Sequence, residues 1–571
     1  MKLPGPARSR RGGGTTRERR GTKRNQGSGR AREGLGERGL KLRGSVRPLG
    51  IVRPTLAILL AGTLGTSPAG ATAALTQLPT AFVNVNVVPM DSERVLPAHT
   101  IVVQDGRIVA MGPRARTPVP GRARIIDGRG AYLLPGLADM HVHFLADSNE
   151  LLLYVANGVT TVRDLSGEPV YFGWRRDITE GRRVGPNILV GSPVIEAPPG
   201  QRRAMAWLWG MTLAVAGVLL AVAWPAVRRI RRPGVRRWLV PAGVAAAIVA
   251  GSLITRTFLP FPDALLPSGQ VPHWWVGSPR EAAASVRAAA ERYDAVKLYE
   301  RLPPATFAAA VRAAREAGIH TVAHVPASMG LERTLHSGVD ELAHVYFLVE
   351  ALQASTDTAS LRTAELRDNA YRRRLHEIVA DVRSSGVNVT STLMPLPEVL
   401  EQETDSAVFL ARDDMRYRTP AARRAARERM RGAAPSVGYD LRAHITWGSI
   451  AARELVRAGV PLVLGTDDSP MTAVAGFSAH EELKLLVGSG LWPYEALRTA
   501  TVNASRVAGG TARWGTIAVG ARADLLLAGG NPLADIGAVR RPRGVMVAGR
   551  WYDRAVLDSV LEAVARRRAG S

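Results

Sequence analysis

Gly136-Leu137-Ala138-Asp139-Met140-His141-Val142-His143 decides the fold. It closes an apolar run, Ala131 to Leu137, that reads as a buried strand. Side chains two apart on a strand project to the same side, so His141 and His143 can offer both imidazoles to one metal ion. An isolated His-x-His has a bland counterpart, two polar residues at a strand end. Four further segments give it weight. Asp294 to Tyr299 presents Lys297, His320 to Pro326 presents His324, Val339 to His344 presents His344, and Val460 to Asp468 presents Asp467, each after a strand-like run.

Helical patterns ended by glycine lie between these runs. In Ala305 to Gly318, Phe307, Val311 and Ala314 recur along one face. Alternating strands and helices predict βα units on a parallel sheet. Metal-ligating types at successive strand ends are expected at the active-site face of a (β/α)8 barrel. Lys297 alone reads equally well as a barrel lysine paired with a carboxylate.

Other segments carry a family likeness. Phe82–Val88, Thr100–Ile108 and Ile125–Gly130 resemble the N-terminal β-sandwich strands of the amidohydrolase superfamily. Gly515–Leu526 resembles the return of the chain to that sandwich, and Asn157–Asp164 the second barrel strand. From about Thr76 to Asp553, with one large interruption, the chain resembles the imidazolonepropionase-like and prolidase-like branch of that superfamily. The resemblance implies an α/β fold, a (β/α)8 TIM barrel with a small β-sandwich domain built from both ends of the chain.

It also implies a binuclear site in which two divalent metal ions share a bridging hydroxide. His141, His143 and Asp467 would bind the more buried ion, His324 and His344 the other. Lys297 would bridge them as a carboxylated lysine, since an ammonium cannot ligate a cation and a carbamate offers two anionic oxygens. Zinc is the expected metal, although His and carboxylate donors suit several first-row ions. Asp467 would be the catalytic general base and then general acid. Tyr299, on the Lys297 side of its strand, is a candidate substrate contact. Arg163 would hold a substrate carboxylate or form a barrel-rim salt bridge. His320 reads as structural, Asp468 should point away from Asp467, and His99, His273, His336, His376, His444 and His480 read as surface or packing histidines.

The absence of cysteine excludes disulfides and thiolate metal sites. The net charge of +26 is unevenly placed: residues 1–53 hold 16 Lys/Arg against 3 Glu, in a Gly- and Arg-rich preface without apolar periodicity, expected to be disordered. Residues 54–74 follow as an apolar core and an Ala-x-Ala run, read as a signal peptide or N-terminal anchor. Within the barrel, Ala204–Val227 and Trp238–Thr255 are uncharged runs of 24 and 18 residues around an arginine-rich turn. They read as an inserted two-helix transmembrane hairpin, and the positive-inside rule puts the turn in the cytoplasm. The expected location is the cytoplasmic membrane, with a lipid bilayer as partner and the catalytic domain on the extracytoplasmic side. No nucleic-acid partner is expected, because the basic charge lies in the preface and the turn.

The expected organisation is a preface at 1–53, a signal or anchor at 54–74, a first β-sandwich segment at 75–133, a barrel at 134–510 interrupted by the hairpin at 204–255, a second β-sandwich segment at 511–556 and a C-terminal helix at 557–571. The expected function is metal-dependent cleavage of a C–N bond in a small non-peptide or cyclic amide or a dipeptide. A lactone or ester hydrolase, and a catalytically inactive membrane-anchored scaffold or sensor, are the alternatives.

Overall fold

The computed structural model describes residues 78–144, 147–198, 272–356, 364–424, 427, 441–468, 473–509 and 514–570. Five strands come first: β1 (Thr80–Val87), β2 (Leu96–Gln104), β3 (Arg107–Pro113), β4 (Arg124–Asp127) and β5 (Tyr132–Pro135). The barrel strands follow as β6 (Leu137–Val142), β7 (Val159–Asp164), β8 (Asn187–Val190), β11 (Ala295–Leu298), β12 (His320–Ala323), β13 (Glu341–Leu342), β14 (Asn388–Thr390) and β15 (Leu462–Val463). Two short strands, β9 (Val194–Glu196) and β10 (His273–Trp275), lie between β8 and β11 in the chain.

All neighbouring barrel strands pair in parallel. Bridges Gly191↔Ala295 and Val142↔Asp468 join β8 to β11 and the end of β15 to β6, so the eight strands close into a ring. β9 pairs with β10 and meets β11 at Leu298. Closure removes sheet edges and puts every strand's C-terminal end on one face.

The helices between strands follow local rules. Pro279–Ala290 starts at Ser278, which caps Glu281 N at 3.3 Å, while the Glu281 carboxylate reaches back to Gly277 N at 2.6 Å. Pro304–Ala317 carries Pro at its first turn and ends on Gly318 at φ +66°, a left-handed cap that disfavours side chains. Its buried face includes Phe307, Val311 and Ala314, as the spacing requires. Fully burying each of the larger two is worth about 1.5–3 kcal/mol.

The expected sandwich is one curled sheet. Strands β16 (Leu525–Ala528), β17 (Gly544–Val547) and β18 (Arg550–Asp553) join the first five in the order β18-β17-β16-β5-β1-β2-β3, with β4 beside β1. Hydrogen bonds from Ile108 N to Ala521 O and from Ala523 N to Gly106 O tie the β3 end back to the segment before β16. The sheet wraps a separate apolar cluster that includes Phe82, Ile101, Ile108, Leu133, Leu525 and Met546. The C-terminal helix runs Arg554–Gly570, starting three residues earlier than expected.

The membrane component of the expected fold is corrected. No helix among the described residues is long and apolar enough to cross a membrane. The longest, Ala364–Ser385, has 22 residues but is studded with charge (Glu365, Arg367, Asp368, Arg372, Arg373, Arg374 among them). The described residues therefore form a barrel and a sheet with no transmembrane hairpin among them, and neither the bilayer partner nor the cytoplasmic-membrane location has structural support. The segments on which those expectations rested, 54–74 and 204–255, lie outside the described residues, as does the preface at 1–53.

Candidate active site

The first ligand-type side chains stand at the end of β6. His141 is 1% exposed and the His143 side chain 14%. Between β6 and β15, Asp139 accepts from Thr466 N at 3.0 Å and from Thr466 Oγ1 at 2.7 Å, stapling the two strand ends. Asp467 N donates to His141 O at 2.8 Å. Gly465 allows that approach: a Cβ there would lie 2.6 Å from His141 Cβ and 2.4 Å from Thr390 Cγ2. Asp467 takes φ +50°, which turns its carboxylate toward the imidazoles. Its Oδ1 lies 3.1 Å from His143 Nε2 and 3.4 Å from His141 Nε2. Asp468 points elsewhere, accepting from Tyr154 Oη at 2.8 Å and Ser478 Oγ at 3.0 Å.

The remaining side chains come from the next strand ends. Lys297 on β11 is buried, with Nζ 3.4 Å from His141 Nε2. His324 follows β12 and His344 follows β13, their Nε2 atoms 2.9 Å apart. Outer hydrogen bonds fix three rings: Glu300 Oε1 accepts from His324 Nδ1 at 2.8 Å, Ser166 Oγ lies 2.9 Å from His143 Nδ1, and Thr392 Oγ1 lies 2.9 Å from His344 Nδ1. With Nδ1–H given to the Glu300 carboxylate, His324 turns a lone pair inward. His344 (φ +69°) and Thr392 (φ +43°) hold left-handed backbone conformations beside one another, strain of a kind that persists where the surroundings over-determine it.

Burial sets the protonation of the cluster. It pushes the His141 and His324 imidazoles well below their usual pKa, with Lys297 adding to the effect. It brings His344 down to about 3 against the pull of Asp467, and lowers Lys297 to about 7 although Asp467 and Glu341 oppose the shift. For Asp467 burial acts upward, yet the hydrogen bond from His143 and the nearby His344, His143 and Lys297 side chains hold it below the usual carboxylate value. Neutral imidazoles beside an ionised carboxylate are the donor state that a divalent metal needs. The ligand atoms of His141, His143 and Asp467 all lie within 4.8 Å of one another, so this group could hold a metal ion.

These side chains open into a pocket of about 240 Å3. Of the residues singled out in the sequence, His141, His143, Lys297, Tyr299, His324, His344 and Asp467 all line it. Arg163 does not. It is buried beneath, bonded to Glu341 at 2.9 and 2.5 Å and to Met140 O at 2.8 Å, so the salt-bridge alternative describes it. The pocket wall also includes Glu196, His273, Glu300, Arg301 and Tyr346, none of them anticipated as site residues. Glu300 and Arg301 directly follow Tyr299, and Glu196 ends a strand, so position could have flagged them. His273, Ser166 and Thr392 carry no local signal. A larger cavity of about 980 Å3 lies elsewhere, and several of its charges are paired with one another, as in Arg412–Asp414 and Arg541–Asp558.

Residues 132–552, well over half of the chain, match the Amidohydrolase family. Adenine deaminase 3 of Rhizobium meliloti (strain 1021) is 29% identical over 143 residues, 24% of this chain and 23% of the relative. The chain is aligned to less than a quarter of the length of the curated relatives it matches. Among solved structures, a putative prolidase from Bifidobacterium longum superimposes with a TM-score of 0.55 at 22% identity, covering 86% of this chain and 99% of that one. A Xaa-Pro dipeptidase crystallised with methionine in its active site gives 0.54 at 18%, covering 83% and 100%. At these identities the likeness is one of fold. The closed parallel ring, the cluster at its mouth and the match over residues 132–552 agree: the chain belongs to the Amidohydrolase family, hydrolases that act on carbon–nitrogen bonds.

Proposed function

We propose that this chain is a metal-dependent hydrolase that cleaves the C–N bond of a small amide, a dipeptide-like or cyclic one. The observation that carries the reading is the convergence of four histidines, Lys297 and Asp467 at the C-terminal mouth of a closed parallel barrel, with His141, His324 and His344 held neutral by burial. The dipeptide-like choice draws support from the fold shared with a putative prolidase and a Xaa-Pro dipeptidase.

The donor set fits divalent ions. The lone pair of His324 Nε2 points at His344 Nε2, and a cation beside them would satisfy both. His141, His143 and Asp467 would hold one ion, His324 and His344 a second, with Lys297 shared between them as a carbamate. The carbamate needs a neutral amine: the nitrogen lone pair bonds to CO2 carbon and the nitrogen loses a proton. Burial of Lys297 makes that amine available near neutral pH. Divalent ions, when bound, would acidify water and polarise the scissile carbonyl. Asp467, a third of whose side chain faces the pocket, would take the proton of the attacking water and return it to the leaving nitrogen. Glu300, Ser166 and Thr392 would keep their imidazoles oriented.

The test is metal content per chain, by plasma mass spectrometry, on the wild type and Lys297→Ala, with hydrolysis of dipeptides and cyclic amides measured alongside. About two ions, lost in the variant, together with amide turnover would support the reading. No ion and no turnover would overturn it, and one ion indifferent to Lys297 would remove the carbamate from it.

A further inference from the structure

The proposed reaction leaves one end of the pocket without a role. A line of rings runs away from the histidine cluster along one wall. His344 and His324 centroids are 4.7 Å apart, His324 and Tyr299 4.1 Å, Tyr299 and His273 6.2 Å, and His273 stacks on Trp275 at 4.6 Å. The Arg301 guanidinium ends the line, 5.9 Å from the Trp275 ring centre. Among the described residues, Arg301 and the buried Lys297 are the two Lys/Arg residues of the pocket lining.

Arg301 is held rather than loose. Its Nη2 pairs with Glu196 Oε2, and its backbone N donates to Glu196 Oε1 at 3.4 Å. Glu196 itself is 1% exposed, whereas the Arg301 side chain is 48% exposed. Its Nε and Nη1 make no hydrogen bond among the described residues. One edge of the guanidinium is thus fixed by a buried partner and the other is open, a geometry suited to an oxyanion. Burial also raises Glu196 toward 7 against the pull of Arg301, so the arginine's charge is only partly offset near neutral pH. At the cluster end the basic groups, Lys297 and the four histidines, are those assigned to metal binding, and Glu300 and Asp467 are acidic. Outside the groups assigned to metal binding, Arg301 is the Lys/Arg side chain of the described lining that an anionic group can meet.

We propose that Arg301 is the specificity-determining residue of this site, receiving the free carboxylate of a dipeptide or N-acyl amino acid whose amide lies at the histidine cluster. The inference rests on the amide-hydrolase reading and sharpens it: cyclic or simple amides without a carboxylate are poor substrates. The apolar body of the leaving amino acid lies along Tyr299 and His273, which Trp275 backs by stacking on His273, and this favours a large side chain there.

The test compares alanyl-phenylalanine with alanyl-phenylalanine amide, using the full chain. The wild type should prefer the acid by about 10- to 100-fold in kcat/KM, the range for a charge-assisted hydrogen bond. Arg301→Ala should abolish the preference, Arg301→Lys should restore part of it, and Arg301→Glu should favour the amide. Arg301→Ala is also made with Glu196→Gln, so that no buried carboxylate loses its partner. Calorimetric binding of phenylalanine and phenylalanine amide gives a readout that needs no turnover. Equal binding of the two by the wild type, or a drop in acid and amide alike in Arg301→Ala, overturns the role of Arg301. Metal content and amide turnover, measured on the same samples, report separately on the hydrolase reading. Turnover with no acid preference leaves the hydrolase standing without this anchor, and acid-selective binding without turnover leaves the anchor without the hydrolase.

Discussion

Two histidine–glutamate pairs of equal length stand four residues apart, one at the start of β12 and one just past its end. His320 Nε2 meets Glu341 Oε2 at 2.8 Å, and His324 Nδ1 meets Glu300 Oε1 at 2.8 Å. Glu341 is fully buried and committed on every side, also binding Arg163 at 2.9 and 2.5 Å and accepting from Thr390 Oγ1. Glu300 is half-exposed, and His324 is its one side-chain partner among the described residues. The first pair is closed: Arg163, Glu341, His320 and Thr390 answer one another inside the barrel. In the second, His324 uses its outer nitrogen on Glu300 and turns the other into the pocket. The difference between a structural and a chemical polar cluster here is whether donor atoms are left over, not which residue types are present.

The largest effect is expected at the open cluster. Asp467→Asn should lower kcat/KM by about 10^2- to 10^4-fold, the range for a lost general acid–base. Its chemical-denaturation midpoint should stay close to wild type. A loss of stability comparable to that of the closed pair would place Asp467 with the structural group instead.

The closed pair should behave in the opposite way. Glu341→Gln leaves the Arg163 guanidinium buried without its counter-charge, which costs about 3–5 kcal/mol of stability, read by urea unfolding, while metal content should be retained. Burial alone would raise the Glu341 pKa, but Arg163 and His320 hold it well below the usual carboxylate value. A depressed native pKa contributes stability that is present above the unfolded value of about 4.3 and is lost as pH falls through the native one. The gap between wild type and variant should hold from neutral pH to about pH 4 and shrink only in stronger acid. A gap that vanished by pH 6 would contradict the pairing.

His480 provides an intermediate case outside both pairs. It is buried, its Nε2 donates to Asn157 O at 2.9 Å, and its Nδ1 has no hydrogen-bond partner among the described residues. Burial lowers it to about 4 from 6.5, against the pull of that hydrogen bond. The neutral ring is the native form, so stability is full above pH 6.5 and falls as pH drops toward 4, by about 3 kcal/mol from this group. His480→Gln should flatten the wild-type stability profile in that window. An unchanged slope would show that the ring is protonated without cost.

The same distinction explains what could be read in the chain beforehand. The barrel was legible because strand-like runs and helical faces repeat at short range, and because His141, His143, His324, His344, Lys297 and Asp467 each end such a run. Arg163 also stands on a strand, and nothing local says that Glu341, 178 residues away, takes its guanidinium. That pairing is a product of ring closure. The same holds for Ser166 and Thr392, whose hydroxyls matter only once β7 and β14 lie beside the imidazoles they meet. One expectation rested on hydrophobicity alone: charge-free runs within 204–255 suggested a membrane span, but those residues lie outside the described ones and no helix among the described residues supplies a span. The sandwich strands were visible as alternating segments, but their union into one curled sheet depends on Gly106 and Ala521–Ala523 meeting across more than 400 residues.

The smallest effect expected falls on the open pair itself and sharpens the comparison most. Glu300→Gln keeps a side-chain oxygen within reach of His324 Nδ1 but removes the charge that fixes the ring's tautomer. Outer partners of metal-binding histidines typically change metal affinity or activity by about 10- to 100-fold. Because Glu300 is half-exposed and holds no buried cation, stability should change by no more than about 0.5 kcal/mol. Metal retention during stepwise chelation, measured with unfolding on the same samples, separates the two quantities. If Glu300→Gln unfolds more readily but keeps its metal, the His324–Glu300 pair is a structural clasp like its neighbour, and leftover donor atoms are not what sets the two clusters apart. If metal is lost first and the fold holds, the β12 segment has built the same contact twice for two ends, using one histidine nitrogen for support and leaving the other for chemistry.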